Sequence, residues 1–219
     1  MYKLNNLISI VIPIYNESQS IKLLVMEIID VMNLNKLNFE IILVNDGSSD
    51  ETQNILNKLS LKIKELVVIN LRKNYGQTAA MAAGFDYSNG EIIITLDGDL
   101  QNDPNDIPQL IKYIQEGYDL ICGWRYLRKD RLLNRRIPSK IANKLIGLVT
   151  GINLHDYGCS LKAFKKDIVK DIKLYGELHR FLPVLANIEG AKIKEVKVNH
   201  RSRKFGKSKY GIDRTFRVL

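Results

Sequence analysis

The chain has 219 residues, of which 45% are hydrophobic; this is enough for one sizeable core and excludes a disordered chain. No apolar run reaches the length that a membrane-spanning helix needs. The net charge of +9 is unevenly divided, because residues 1–124 hold 9 Lys and Arg with 16 Asp and Glu (net −7), whereas residues 125–219 hold 24 and 8 (net +16). This division predicts that the second half faces an anionic partner: a phosphorylated ligand, a membrane surface or nucleic acid.

The first hundred residues alternate between short β-branched apolar runs and amphipathic stretches with helical spacing. We expect a parallel sheet covered by helices on both faces, because the strand runs are apolar on both sides. Pro13 is expected to end the first strand. The predicted strands are 8–12, 39–44, 66–71 and 91–96, and the predicted helices are 20–33, 51–63 and 76–87.

The second half continues with a helix that begins at Pro104, in its favoured first-turn position, and runs to about Glu116. No internal repeat and no linker interrupts the chain, so we expect a single α/β domain. The further predicted elements are a strand at 119–122, a basic amphipathic helix at 137–149, loop then strand at 156–164, helices at 167–174 and 180–188, and a strand at 192–199.

The cysteines and histidines do not have the spacing of metal ligands, and two cysteines do not make a disulfide framework. We expect both thiols to be free and buried, which fits a reducing compartment. The residues concerned are Cys122, Cys159, His155, His179 and His200.

Polar side chains follow each of the first four predicted strands. Because ligands of parallel α/β sheets bind beyond the carboxyl ends of the strands, we expect these side chains to line one crevice. They are Tyr15, Asn16 and Glu17 after the first strand, Asp46 after the second, Lys73 and Asn74 after the third, and Asp97 and Asp99 after the fourth.

The acidic cluster after the fourth strand predicts a site for a hard cation. Asp97 and Asp99 are separated by one glycine, so both carboxylates can approach one ion, and Gln101 adds a neutral oxygen. Oxygen ligands suit Mg²⁺ or Mn²⁺, which bind phosphates and make a diphosphate a better leaving group. A polar Asp-Gly turn is the alternative.

The other strand ends have the side chains that a nucleotide needs. Tyr15 can stack on a base, while Glu17 and Asp46 can accept hydrogen bonds. The Asp46–Asp50 segment is also typical of a helix N-cap, with Ser48 or Ser49 as the capping residue. A glycine fingerprint for dinucleotides and a P-loop are both missing from the sequence.

Four segments resemble family 2 glycosyltransferases of the GT-A fold: SIVIPIYNE (9–17), LVNDGSSDET (43–52), RKNYGQTAAMAAG (72–84) and IITLDGDLQNDP (93–104). Within that family the chain resembles the polyprenyl-phosphate hexosyltransferase branch, which includes dolichol-phosphate mannose synthases and undecaprenyl-phosphate glucosyltransferases. A late string typical of the branch comprises Arg203, Gly206, Ser208, Lys209, Tyr210 and Gly211. The resemblance implies one Rossmann-like GT-A domain over 1–219, with a nucleotide- and metal-binding half (1–103) and an acceptor half (104–219).

The resemblance also implies roles for individual residues. Arg125, in a GWRY string where relatives have GSRY, and Asp156 are placed with Asp99 near the reacting centre. Arg135 and Ser139 have the spacing of a phosphate-binding pair in relatives. The nucleotide pocket is assigned Pro13, Tyr15, Glu17, Asp46, Lys73 and Asp97, and the metal Asp97, Asp99 and Gln101.

The function that these features predict is transfer of a hexose from a UDP- or GDP-sugar to a polyprenyl phosphate, with inversion, at the cytoplasmic face of the cell membrane. Such an acceptor needs no general base, because a phosphate monoester is largely ionised at neutral pH. The basic half then has two tasks, since it holds the acceptor phosphate and faces anionic lipid, with helix 137–149 a candidate for the interface. The phosphate-binding cations are assigned to Arg125, Arg135, Arg203, Lys207 and Lys209.

Two other functions remain open from the sequence. A soluble family 2 transferase that acts on a sugar hydroxyl of a polysaccharide would need a base, for which Asp156 is the candidate. A basic nucleic-acid-binding module would show salt-dependent affinity for DNA or RNA, although we expect no nucleic acid partner. The sequence leaves the sugar, the nucleotide base and the existence of a homo-oligomer undecided.

Overall fold

The fold, taken from a computed structural model, is described for residues 6–126, 147, 150–170 and 172–206. Seven strands form one sheet in the order β3-β2-β1-β4-β6-β5-β7. Every neighbouring pair is parallel except the two that involve β6, which runs antiparallel to β4 and β5. The strands are β1 (Ile8–Ile14), β2 (Phe39–Asn45), β3 (Leu66–Asn70), β4 (Ile92–Thr95), β5 (Leu120–Arg125), β6 (Lys162–Lys165) and β7 (Ile193–Val198).

Helices cover both faces of this sheet, as the apolar strands predicted. Along β1, Ile10 and Ile12 pack into a core with α1, α2 and α4, whereas Val11 packs into a second core with α3, α5 and α6. This alternation buries both faces of a central strand. The helices are α1 (Ile21–Leu34), α2 (Thr52–Ser60), α3 (Gln77–Asp86), α4 (Ile107–Gln115), α5 (Lys166–Lys170) and α6 (Leu182–Ile188), with 3₁₀ turns at Pro104–Asp106 and Leu178–Phe181.

The prediction that Pro13 ends the first strand was wrong. Pro13 lies inside β1, between residues whose backbone groups bond to neighbouring strands. Val11 accepts the N–H of Leu96 on the β4 side and Ile14 accepts the N–H of Asp46 on the β2 side. Pro13 therefore turns its nitrogen toward the β4 side, beyond the last paired residue of that strand, where a sheet needs no donor.

Other predicted elements differ at their ends. The helix expected from Pro104 begins as a 3₁₀ turn and becomes α-helical only at Ile107. The strand expected at 119–122 extends to Arg125, because β5 pairs with β7 over its whole length. The predicted basic helix at 137–149 lies outside the described residues apart from Gly147. No helix in the described ranges is long and apolar enough to cross a membrane.

This topology places the site. Since β1, β2, β3, β4, β5 and β7 all point the same way, the loops at their carboxyl ends meet at one edge of the sheet. The order puts β1 between β2 and β4, so the loops after these three strands are neighbours. The start of β6 also lies at this edge, because that strand runs the opposite way.

Candidate active site

A pocket lies at the carboxyl edge of the sheet, where the loops after β1 to β4 meet the start of α3. It contains most of the residues that the sequence analysis assigned to a nucleotide, but Lys73 is not among them. The lining residues are Pro13, Ile14, Tyr15, Glu17, Asp46, Asn74, Gly76, Gln77, Asp97, Gly98, Asp99 and Arg203.

The loop after β1 is fastened to the loop after β2 by side-chain oxygens. The backbone N–H of Asn16 donates to Ser48 Oγ at 2.9 Å, and that of Glu17 donates to Thr52 Oγ1 at 2.9 Å. Ser48 is therefore a partner of the first loop rather than the expected helix cap. The N-cap position of α2 is Glu51, which makes no side-chain cap hydrogen bond; one residue before it, Asp50 Oδ1 accepts the N–H of Thr52, the first residue of the helix, at 3.0 Å.

Asp46 holds the loop that leads into α3. Its Oδ1 accepts the N–H of Tyr75 at 2.7 Å and its Oδ2 accepts the N–H of Gly76 at 2.9 Å. The adjacent Gly47 has a φ of +65°, and a Cβ there would lie 2.4 Å from the backbone of Lys73. The two loops can approach this closely only because residue 47 is glycine. Asp46 therefore lines the pocket and also holds Gly76, another lining residue, in place.

Lys73, which was assigned to the nucleotide, has an exposed side chain, and its Nζ lies 5.2 Å from the ring centroid of Tyr75. The next residue in this loop, Asn74, lines the pocket instead. The 72–76 loop therefore contributes to the pocket as expected, but the ammonium group of Lys73 does not line it.

Asp97 is held by neutral donors on two sides. Its Oδ1 accepts a hydrogen bond from Gln77 Nε2 at 2.9 Å, and its Oδ2 accepts one from Ser160 Oγ at 2.7 Å. Its backbone N–H donates to Asn102 Oδ1 at 3.1 Å. These contacts fix the carboxylate without neutralising its charge. No spacing rule connects Asp97 to Gln77, Ser160 or Asn102, so these three partners were not predicted from the sequence.

Asp99 is buried and has a charged partner. Its Oδ1 accepts the N–H of Gln101 at 3.0 Å, and its Oδ2 accepts a hydrogen bond from Arg203 Nη2. The pKa of Asp99 is raised to about 6, chiefly because the side chain is buried and secondly because Asp97 carries like charge, while the guanidinium of Arg203 acts in the opposite direction. A further cation bound to this carboxylate would offset the repulsion between the negative charges of Asp97 and Asp99.

The donor set around Asp97 and Asp99 fits a hard divalent cation. Within the described residues, no three His, Cys, Asp or Glu side chains are grouped to hold a metal by themselves. Mg²⁺ commonly binds through one or two carboxylates and completes its coordination with water and substrate phosphates, so two carboxylates beside an open pocket suit it. Gln101 directs its Oε1 toward Arg203 Nη2 at 3.4 Å.

Arg125 and Asp156, both expected near the reacting centre, contact each other at the end of β5. Arg125 Nε lies 2.7 Å from Asp156 Oδ2, and Nη2 lies 2.8 Å from Oδ1. Glu195, on β7, accepts the backbone N–H groups of His155 and Asp156 at 3.1 and 2.9 Å and fixes this loop. Trp124, the residue before Arg125, stacks on the His155 ring with centroids 4.0 Å apart.

Arg203 bonds to Asp99 in the pocket, whereas Arg125 bonds to Asp156, although both arginines were assigned to an acceptor phosphate. Four further residues with that assignment lie outside the described residues: Arg135, Ser139, Lys207 and Lys209.

A doubly covered sheet with this strand order and an Asp-x-Asp loop at its carboxyl edge is the architecture of GT-A glycosyltransferases. Glucosyl-3-phosphoglycerate synthase from Mycobacterium tuberculosis, solved with Mn²⁺ and uridine-diphosphate-glucose, superposes with a TM-score of 0.69 at 17% identity, covering 96% of this chain and 74% of that one. The chain belongs to glycosyl transferase family 2, because residues 9–173 match the model of that family.

Two curated relatives are similar over nearly the whole chain. Dodecaprenyl-phosphate galacturonate synthase of Rhizobium johnstonii is 48% identical over an alignment of 218 residues that covers 97% of this chain and 64% of that protein. Undecaprenyl-phosphate 4-deoxy-4-formamido-L-arabinose transferase of Photorhabdus laumondii is 41% identical over 213 residues, covering 97% and 65%. The chain thus spans slightly less than two thirds of the length of these relatives.

Proposed function

We propose that this chain transfers a glycosyl group from a nucleoside-diphosphate sugar to a polyprenyl phosphate, with inversion at the anomeric carbon. The observation that carries the proposal is the pocket, in which the loops after β1, β2 and β4 bring together Tyr15, Asp46, Asp97 and Asp99. The names of the two relatives, both polyprenyl-phosphate transferases, support this choice of acceptor. Residues 1–103 then provide the nucleotide- and metal-binding half and residues 104–219 the acceptor half.

The donor is assigned to the wall formed by the first two loops. Tyr15 offers a ring for the base, and Glu17 lies at the same wall. Mg²⁺ or Mn²⁺ held by Asp97 and Asp99, with Gln101 as a further oxygen ligand, would neutralise the charge that develops on the departing diphosphate. The mycobacterial synthase of the same fold was solved with Mn²⁺ and a uridine donor, which supports this pairing and a preference for uridine.

The acceptor is assigned to the second half of the chain. A phosphate oxygen of the acceptor attacks the anomeric carbon, the bond from that carbon to the donor's diphosphate oxygen breaks, and the nucleoside diphosphate departs. No proton must be removed, because the phosphate oxygen is already ionised. Arg125, whose guanidinium is held in a fixed orientation by Asp156, would orient the incoming phosphate. Arg135, Ser139, Lys207 and Lys209 remain assigned to the same phosphate.

The geometry disfavours the alternative in which Asp156 is a general base for a sugar hydroxyl. Both of its carboxylate oxygens accept hydrogen bonds from Arg125, so taking up a proton would break a two-point ion pair. A phosphate acceptor avoids this requirement. We further propose that the protein works at the cytoplasmic face of a membrane. The prenyl chain of the acceptor is embedded in the membrane, and the basic second half would be attracted to the anionic lipids of the cytoplasmic leaflet.

The proposal is tested by incubating the chain with UDP- and GDP-sugars, Mn²⁺ and polyprenyl phosphate in detergent, and by measuring glycolipid formation. We expect a product with at least one donor, and none from the Asp97→Asn, Asp99→Asn double variant. Asp86→Asn, on the exposed end of α3, is the matched control and should retain activity. Failure to glycosylate polyprenyl phosphate with every donor, in a folded protein that glycosylates a free sugar hydroxyl, would establish the alternative instead.

A further inference from the structure

The segment after β7 ties the basic second half to acidic residues of the first half. It runs beside the loop after β4, where Asn102 and His200 form a β-bridge and Arg201 N–H donates to the carbonyl of Gln101 at 2.8 Å. Alternate side chains of this segment each reach carboxylates. Asn199 Nδ2 donates to Asp106 Oδ1 at 2.9 Å, and the backbone N–H of Asn199 donates to Asp106 Oδ2 at 2.7 Å. Arg201 donates to Glu27 at 2.5 Å and to Asp103 at 2.7 Å.

The third of these side chains ends inside the pocket. Arg203 donates from Nη2 to Asp99 Oδ2, and its Nη1 lies 4.0 Å from Glu17 Oε1. Its side chain is only one-fifth exposed. The guanidinium is thus bonded to one of the two carboxylates assigned to a divalent cation, and it faces the space assigned to the donor.

We propose that Arg203 is an internal counter-ion, which competes with a divalent cation for Asp99 and transfers to the donor's diphosphate when the cation binds. This inference rests on the proposed function, because it requires a nucleoside-diphosphate donor. It reassigns Arg203 from the acceptor phosphate to the donor.

Electrostatics explains both positions of the side chain. Asp99 is buried beside Asp97, and a buried carboxylate without a positive partner is strongly unfavourable, so a guanidinium there stabilises the site before ligand binds. A divalent cation at the same carboxylate would repel a guanidinium a few ångströms away. The nearest new anion is then the diphosphate, whose oxygens suit the planar fork of an arginine.

The anchoring of Arg201 limits the change to one side chain. Its guanidinium bonds to Glu27 and Asp103, and its backbone N–H bonds to Gln101, so the segment stays in place while the next long side chain moves. Arg203 lies two residues further on, within reach of both Asp99 and the pocket.

The test measures cation binding and nucleotide binding separately. Mn²⁺ binding is measured by electron paramagnetic resonance of the free ion, and UDP binding at saturating Mn²⁺ by calorimetry. We expect Arg203→Gln to bind Mn²⁺ alone at least about fivefold more tightly than the wild type, because a competing charge is removed. The same variant should bind UDP about tenfold more weakly, because a charge-assisted contact to the diphosphate is lost.

Lys204→Gln is the matched control, since it removes the same charge from the next residue, whose side chain is exposed. It should leave both affinities within about twofold of the wild type. Arg203→Lys retains the charge but not the fork, so we expect wild-type Mn²⁺ affinity with weaker UDP binding. If Arg203→Gln fails to fold, Arg203→Lys still tests the contact to the diphosphate, and unchanged UDP binding in this variant would overturn the proposed transfer of Arg203 to the donor.

Each outcome decides the question. Unchanged or weaker Mn²⁺ binding in Arg203→Gln, in a protein whose wild type binds both Mn²⁺ and UDP, overturns the counter-ion role and leaves the proposed function standing. A wild type that binds neither Mn²⁺ nor UDP overturns the counter-ion role together with the donor site of the proposed function.

Discussion

The guanidinium of Arg125 and the carboxylate of Asp156 form a two-point ion pair at the end of β5, with both N–O distances below 3 Å. Arg125 is the last residue of its strand, whereas Asp156 lies in the loop before β6, so the pair fastens that loop to the sheet. The side chains are 16% and 5% exposed, which places the pair largely out of water. Removing either side chain would therefore leave the other as an uncompensated, largely buried charge, which lowers the stability of the fold and disturbs any contact with substrate.

Asp156→Asn should lower the free energy of unfolding by about 3 kcal/mol, because it leaves a largely buried guanidinium without its counter-charge. Urea denaturation measures this. Lys64→Gln, at an exposed ion pair of 3.8 Å, is the control and should change stability by less than about 1 kcal/mol. If Asp156 is not a base, the remaining transferase activity of Asp156→Asn keeps the pH profile of the wild type; a lost basic limb would contradict this.

Asp46→Asn should weaken UDP binding and loosen the start of α3. An asparagine has one acceptor oxygen, so its amide group would face one of the two backbone N–H groups that the carboxylate now accepts. We expect a loss of about 1–3 kcal/mol of stability and faster hydrogen exchange at Tyr75 and Gly76. Asp86→Asn, on the exposed end of α3, should change neither quantity. Unaltered exchange at both amides would refute this role of Asp46.

Gly47→Ala should be more damaging than Gly117→Ala, although both glycines have positive φ angles of +65° and +100°. At Gly117 a methyl group meets no atom within 4 Å, so only backbone strain of about 1–2 kcal/mol is expected. At Gly47 the methyl group would also collide with the backbone of Lys73 and separate the two loops. Thermal denaturation and UDP titration of both variants measure the difference, and equal losses would show that the close approach is unimportant.

The thiols of Cys122 and Cys159 should not react in the native protein. Both are fully buried, and burial raises their pKa values to about 12 and about 11. An aromatic disulfide reagent at pH 8 should detect close to no thiol in the folded chain and both in guanidinium chloride. The unfolded thiols ionise near pH 9 while the folded ones stay protonated to about pH 11, so stability should fall as the pH rises through this window. Rapid labelling at pH 8 without unfolding would contradict the burial.

The edge of the sheet at which the pocket lies was predictable from the sequence, whereas the details of single elements were not. Tyr15, Asp46, Asp97 and Asp99 each follow a strand whose apolar pattern is plain, and parallel strands must end at one edge. Pro13 was wrongly predicted to end β1, because the effect of a proline on a strand depends on which neighbouring strand its nitrogen faces. The antiparallel insertion of β6 between β4 and β5 likewise has no signature in the local pattern.

The sequence by itself determined the fold class and the loops that form the pocket, because strand periodicity and the polar residues that follow each strand are local properties of the chain. The tertiary structure alone decided the partners of the acidic residues: Gln77 and Ser160 for Asp97, Arg203 for Asp99, and Arg125 for Asp156. These partners are 20, 63, 104 and 31 residues apart in the chain. Contacts over such separations depend on how the whole sheet and its loops pack, and no local spacing specifies them.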